Sequence, residues 1–269
     1  VKRTVINKKV GETPLEALER FRAENPELKD VPITYAGRLD PMAEGKLLLL
    51  VGEECKKKDF YNKLDKEYEF EVLLGFKSDS GDILGLADFE GDKKDDCVLQ
   101  GARQAGEFFL GHRTFRYPLF SSKTFSGKPL FQHARRGSLS KDEAPVFEAE
   151  IYGIDYLGKR TIAKKELIEN ILNRINLLKI NPNNKNLGSD FRKEEIIGNW
   201  QKLEGMNWEN ATILKYKVAV SSGAYIRVLA PLVAQKLNTS GLAYSIKRTR
   251  LGKYFKFFKN FGVWLRELK

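Results

Sequence analysis

Between Tyr35 and Gly52 the chain reads YAGRLDPMAEGKLLLLVG. Proline at 41 biases Asp40 away from the helical region, so the backbone turns there, and the glycine and dense apolar residues that follow require a buried strand. One carboxylate is thereby set on a constrained turn at the lip of a sheet. A carboxylate that only caps its own turn would have the same local sequence, so this stretch alone leaves Asp40 either structural or reactive. The longest uninterrupted apolar run, Leu47 to Val51, is far short of the roughly 20 residues of a membrane-spanning helix.

Around this stretch the pattern mixes helices and strands without internal repeat. Thr13 to Asn25 has apolar residues at helical spacing behind a Thr-Pro start, with Thr13 as N-cap. Lys46–Gly52, Tyr68–Gly75, Val146–Leu157 and Ala211–Val220 read as strands. In the second, Tyr68, Phe70 and Val72 share one face at the period of a half-buried strand. Asp88–Asp96 reads as an acidic surface turn, Val98–Leu110 as a helix, and Pro231–Leu237 as part of another. From Lys164 to Trp208 the character changes: an amphipathic helix over Glu166–Leu178 leads into the loop INPNNKNLGSDF, an insertion or small subdomain with no visible chemistry.

The 269 residues suit one large domain or two small ones, and 42% apolar with 11% aromatic residues is enough for a real core. No apolar leader with a cleavage site follows the basic N-terminus, so a cytoplasmic protein is expected. Cys55, Cys97, His112 and His133 form no close-spaced pair, which argues against a disulfide scaffold and a structural metal. The net charge of +11 is unevenly placed: His112–Gly137 carries +6 with no acidic residue, Ile246–Lys269 carries +7, and the rest sums to −2. Phe115, Tyr117, Phe120, Phe125 and Phe131 are interleaved with the first run. Cations among aromatic faces suit unpaired bases on a polyanion, although two solvated faces would give the same counts.

Three more stretches bear on Asp40: KEYEFEVLLGFKSDSGDILG (66–85), FSSKTFSGKPLFQHARRG (120–137) and the segment from SSGAYIRVLA to SIKRTRLGKY (221–254). With the first, in this order and spacing, the chain resembles the TruB family of pseudouridine synthases, which convert a uridine of tRNA to pseudouridine. The resemblance covers about residues 5–157 and 211–254. The family's G-x-L-D-P motif falls on Gly37–Pro41, its K-x-Y on Lys66–Tyr68 and its G-K-x-L-(Y/F)-x-x-A-R-x-G loop on Gly127–Gly137. Its G-x-Y-I-R motif falls on Gly223–Arg227, and its Leu-Arg-Arg segment on Ile246–Arg248.

The resemblance implies an α+β pseudouridine synthase fold: a mixed, mainly antiparallel sheet flanked by helices, with an RNA-clasping loop and an insertion. It implies Asp40 as the catalytic carboxylate, stabilising an oxocarbenium-like sugar, attacking it, or removing a sugar proton. Acylal, base-addition and glycal routes all fit. Tyr68 would stack on the flipped base and help remove its C5 proton, and Arg227 would pair with and orient Asp40. Tyr225 would line the pocket; a core aromatic at 68 and ordinary packing at 225 fit the same residues. Asp82 takes a recurrent acidic position and would shape its loop. Lys128, Arg135 and Arg136 would meet phosphates, Ile246 would pack on the base, and Lys247 and Arg248 would contact RNA.

Two positions depart from the family. Tyr35-Ala36-Gly37 stands where bacterial members read H-T-G, so Tyr35 would replace a wedging histidine. Arg38 stands where small residues are usual, and its R-L-D resembles the related RluA family. The expectation is one catalytic domain over 1–269, with an insertion at about 160–210 and no C-terminal PUA domain. It would be a monomer that needs neither cofactor nor metal and acts on the T-loop uridine of tRNA (position 55). A synthase on another or guide-selected RNA, and a non-catalytic RNA-binding or tRNA-folding module, stay open on the same residues.

Overall fold

A computed structural model describes residues 2–91, 101–179, 192–258 and 261–268. Its strands are β1 (Arg3–Lys8), β2 (Ile33–Ala36), β3 (Glu44–Val51), β4 (Asp65–Leu74), β5 (Phe76–Ser78), β6 (Ala87–Phe89), β7 (Gly111–Arg116), β8 (Thr124–Phe125), β9 (Lys128–Pro129), β10 (Val146–Ala163), β11 (Asn210–Val220), β12 (Gly241–Phe258) and β13 (Phe261–Glu267). The helices are α1 (Pro14–Glu24), α2 (Lys58–Asn62), α3 (Ala102–Glu107), α4 (Leu130–Arg135), α5 (Lys164–Asn176), α6 (Lys193–Glu204) and α7 (Ile226–Lys236). No helix among the described residues is long and apolar enough to cross a membrane.

The large sheet runs β1-β3-β12-β4-β11-β10-β7, with β2 also on β3 and β13 also on β12. Its pairings are antiparallel except where β3 meets β12, through Lys247 opposite Glu44 and Arg248 opposite Gly45. Gly45 is required at that junction: its φ is +105°, and a Cβ would lie 2.3 Å from the Arg248 carbonyl oxygen. The unbroken apolar run has a direct cause, since β3 is covered on both faces. Leu47 and Leu49 pack on Ala17 and Leu18 of α1, while Leu48 and Leu50 pack with Ala36, Tyr61 and Leu251. The expected cap on α1 is present as a reciprocal box, Thr13 Oγ1 accepting from the Glu16 amide and Glu16 Oε2 from the Thr13 amide.

Several boundaries differ from the sequence reading. β4 begins three residues early, at Asp65, because it is paired on both sides and its first residues are covered. Tyr68, Phe70 and Val72 do face the core, while Glu67, Glu69 and Glu71 meet Lys217, Lys215 and Arg160 on the other face. Asp88 is in β6, not a turn. Phe89 draws that strand onto the core, its ring 4.9 Å from Phe76 and 5.6 Å from Trp208. Residues 92–96 of that acidic stretch and the start of the helix expected at 98 lie outside the described residues; the helix seen, α3, ends at Glu107 rather than Leu110. β10 continues to Ala163, bending at register shifts beside Gly153 and Gly158.

In the 164–208 segment, Leu167, Ile168, Ile171 and Ile175 of α5 and Ile196, Trp200 and Leu203 of α6 join the main core cluster. Trp200 Nε1 donates to the Ile83 carbonyl at 3.1 Å. The Asn-rich loop expected between the two helices lies outside the described residues.

Candidate active site

Asp40 sits on the turn between β2 and β3, and the turn is pinned from several directions. Gly37 takes φ +73° and donates its amide to Asn62 Oδ1 at 2.9 Å. Arg248 donates to the carbonyls of Gly37, Arg38 and Lys46 at 3.0, 3.3 and 2.6 Å. On the opposite side Lys8 Nζ donates to the Ala43 carbonyl at 2.5 Å and reaches that of Pro41 at 3.5 Å. The Ala43 amide closes the turn on the Asp40 carbonyl at 3.0 Å. A reverse turn between two strands would otherwise be mobile; two buried cations and an amide side chain fix it.

Arg227 enters from the first turn of α7, with 4% of its side chain exposed against 35% for Asp40. Its Nε lies 3.0 Å from Asp40 Oδ2 and its Nη2 3.2 Å from Oδ1, a two-pronged contact that fixes the carboxylate plane. Its Nη1 donates to the Ser80 carbonyl at 3.2 Å and the Phe120 carbonyl at 3.0 Å. Asp82 Oδ2 is 3.4 Å from the same Nε. Asp82 Oδ1 accepts from Ser80 Oγ at 2.6 Å and from the Leu84 amide at 2.9 Å, both within its own loop. Burial pushes its carboxyl up to about 6 against the opposing pull of Arg227.

A cleft of about 390 Å³ opens on one side of Asp40, lined by Tyr35, Gly37, Arg38, Tyr68, Tyr225, Ile246 and Arg248 among others. Tyr68 stands on β4 and Ile246 on β12, adjacent central strands, so two flat or apolar side chains flank the space beside the carboxylate. Tyr225 packs edge-on to Tyr117 at 5.5 Å, and burial and then the nearby Asp40 push its phenol up to about 12, so it stays protonated at neutral pH. Lys58 Nζ sits 5.2 Å from the Tyr35 ring centroid. A second cleft adjoins the first through Asp40 and is lined by Asp82, Arg135 and Arg227. Ser121 lines both, and its buried Oγ has no hydrogen-bond partner among the described residues.

The structure corrects one assignment. Arg248, expected to contact RNA, is 1% exposed and has its guanidinium bonded to three main-chain carbonyls, so it braces the Asp40 turn instead. Lys247 is exposed and 3.8 Å from Glu44, outside both clefts. Lys128 on the β8–β9 hairpin, and Arg135 and Arg136 at the end of α4, are all exposed. Only Arg135 of the three reaches a cleft lining. Arg38 bonds Ser122 Oγ, joining this basic loop to the motif. Lys8 and Asn62 carry no sequence signal. Lys66 had one, in K-x-Y: it lines the main cleft and donates to the Asn62 and Leu64 carbonyls at 2.9 and 2.6 Å.

The family model described as TruB family pseudouridylate synthase (N terminal domain) matches residues 27–167, which take in Asp40, Tyr68, Asp82 and the basic loop. The chain belongs to that family. It is 24% identical over 254 residues to tRNA pseudouridine synthase B of Chloroherpeton thalassium, covering 93% of this chain and 83% of that protein. To tRNA pseudouridine synthase B of Mycoplasmopsis pulmonis it is 30% identical over 180 residues, 64% of this chain and 62% of the relative. A crystal structure of a Cbf5-Nop10-Gar1 complex superposes with a TM-score of 0.52 at 15% identity, over 93% of this chain and 48% of that one. That likeness is one of fold, and the expected pseudouridine synthase architecture is the one observed. The chain spans about half the length of that solved chain.

Proposed function

We propose that the chain isomerises a uridine of tRNA to pseudouridine, at the T-loop uridine (position 55), with Asp40 as the reacting carboxylate. The observation that carries this reading is the two-pronged Arg227–Asp40 contact at the edge of a cleft flanked by Tyr68 and Ile246. The reaction breaks the C1′–N1 bond, turns the base, joins C1′ to C5 and releases the C5 proton. A fixed carboxylate beside C1′ serves each step in which the sugar carries positive character or loses a proton. Tyr68 and Ile246 receive the flipped base between them. The exposed cations of the 123–136 loop meet the phosphates around the flipped nucleotide. The tRNA substrate rests on the names of the relatives.

Pseudouridine mapping on an unmodified tRNA transcript incubated with the pure protein tests the reading. One modified T-loop position, lost in Asp40→Asn, is expected. Product at other positions would overturn the T-loop assignment, and product retained by Asp40→Asn would remove that residue from the chemistry. Absence of product from the parent protein despite tight binding would favour a guide-selected target or a non-catalytic role.

A further inference from the structure

The segment from which the sequence reading drew no chemistry sends one side chain to the site. Arg192 precedes α6 in a left-handed backbone conformation, φ 54° and ψ 33°, which residues with a side chain seldom adopt. Its guanidinium forks Asp79, with Nη1 2.7 Å from Oδ2 and Nη2 3.1 Å from Oδ1. Its Cζ also lies 4.1 Å from the centroid of the Phe120 ring. Asp79 and Phe120 belong to different loops, and each is beside or at a main-chain acceptor of Arg227 Nη1: Ser80 follows Asp79, and Phe120 supplies its own carbonyl. Asp79 is anchored in its turn, its amide donating to the Leu86 carbonyl at 3.2 Å and its Oδ1 accepting from the Leu86 amide at 2.9 Å.

We propose that Arg192 is a positioning residue that staples the 79–82 and 118–122 loops together and so fixes the two carbonyls that aim Arg227 at Asp40. The inference rests on the reading of Asp40 and Arg227 as the reacting pair, and it gives the inserted segment a part in the reaction. A fork to a carboxylate and a face-on contact with an aromatic ring are the two contacts that a planar guanidinium makes at once and an ammonium does not. If the staple is released, both loops keep their own hydrogen bonds. The relative placement of the Ser80 and Phe120 carbonyls then relaxes, and with it the angle of Arg227.

The test uses the full chain, with Arg192→Ala, Arg192→Lys and Asp79→Asn, each checked for an unchanged fold by circular dichroism. With the unmodified tRNA transcript under single-turnover conditions, Arg192→Ala is expected to lose about tenfold to a hundredfold in rate at saturating enzyme, with RNA affinity within about threefold of the parent. Arg192→Lys is expected between the two, because it keeps a cation on Phe120 but loses the fork. Asp79→Asn in the Arg192→Ala background is expected to add little. An unchanged rate, or a loss confined to affinity, overturns the proposal, the second outcome making Arg192 an RNA contact. Hydrogen exchange over peptides 78–87 and 117–122 reads the staple without turnover. Both are expected to exchange faster in Arg192→Ala, and unchanged exchange overturns the proposal even if the parent makes no product.

Discussion

Asp40 is partly open to solvent yet fixed, because both of its oxygens are bonded by one guanidinium that is tied to two carbonyls. Arg227→Ala is therefore expected to lower single-turnover rate by at least about a hundredfold while RNA affinity stays near the parent value. Arg227→Lys is expected to rescue little, since an ammonium cannot fork a carboxylate. Near-normal turnover in either variant would refute the pairing. Removing the arginine also strands buried Asp82, at a cost of about 3–5 kcal/mol in unfolding free energy. Lys66 gives a pH test. Burial, then the nearby Arg248, pulls its ammonium from 10.5 down to about 7. Between those values the unfolded chain binds the proton and the folded chain does not, so stability rises with pH across that window. The Tm of the parent minus that of Lys66→Met is expected to grow between about pH 7 and about pH 9.5; a constant difference would mean Lys66 is not titrating there. At this scale Asp40, Tyr68 and Arg227 were legible because each stands in a motif with fixed spacing. Lys8 and Asn62 were not, since the contacts by which they brace the Asp40 turn are to main-chain groups 25 to 35 residues away and leave no local pattern.

Helices and strands were legible where one face is apolar at a regular period, as in α1, α5, β4 and β11. They were misplaced where tertiary contact overrides local character. β6 runs into an acidic stretch but is held by Phe89 against Phe76 and Trp208, and β10 runs on past Leu157 because β11 pairs with it as far as Ala163. No element was read over 193–204, where α6 contributes Trp200 to the main core cluster, with its ring 5.7 Å from Phe76 and its indole donating to Ile83. Ile83 adjoins Asp82, so the docking of this helix bears on the loop that carries the buried carboxylate. Trp200→Ala removes a fully buried ring and leaves the Ile83 carbonyl without its donor, and is expected to cost about 3–5 kcal/mol by denaturant unfolding. A cost under about 1 kcal/mol, the level of an exposed substitution, would mean that α6 is only loosely docked.

The two basic runs counted in the sequence, +6 and +7, are close in charge and different in kind. In the C-terminal run Arg250 lies 3.5 Å from Glu67 and 3.8 Å from Glu267, Lys253 lies 3.4 Å from Asp65, and Lys256 lies 3.3 Å from Glu150. Arg248 is buried on carbonyls. Part of that +7 is thus balanced, which a count of the run cannot reveal because Asp65, Glu67 and Glu150 come from β4 and β10. The loop from 123 to 136 reaches the second cleft through Phe131 and Arg135, with Lys128, Arg135 and Arg136 exposed, and no acidic residue falls within it. Counterion release depends on cations that reach phosphates, so the two runs should differ in the salt dependence of RNA binding. Reversing Lys128, Arg135 and Arg136 together is expected to flatten the slope of log K against log salt by about 2, on the basis of roughly 0.7 per phosphate contact. Reversing Lys253 and Lys256 is expected to shift it by less than about 0.5, while lowering Tm through the stranded Asp65 and Glu150. Equal slopes in the two variants would place both runs on the RNA. A slope changed only by the second would put the RNA on the sheet face and away from Asp40.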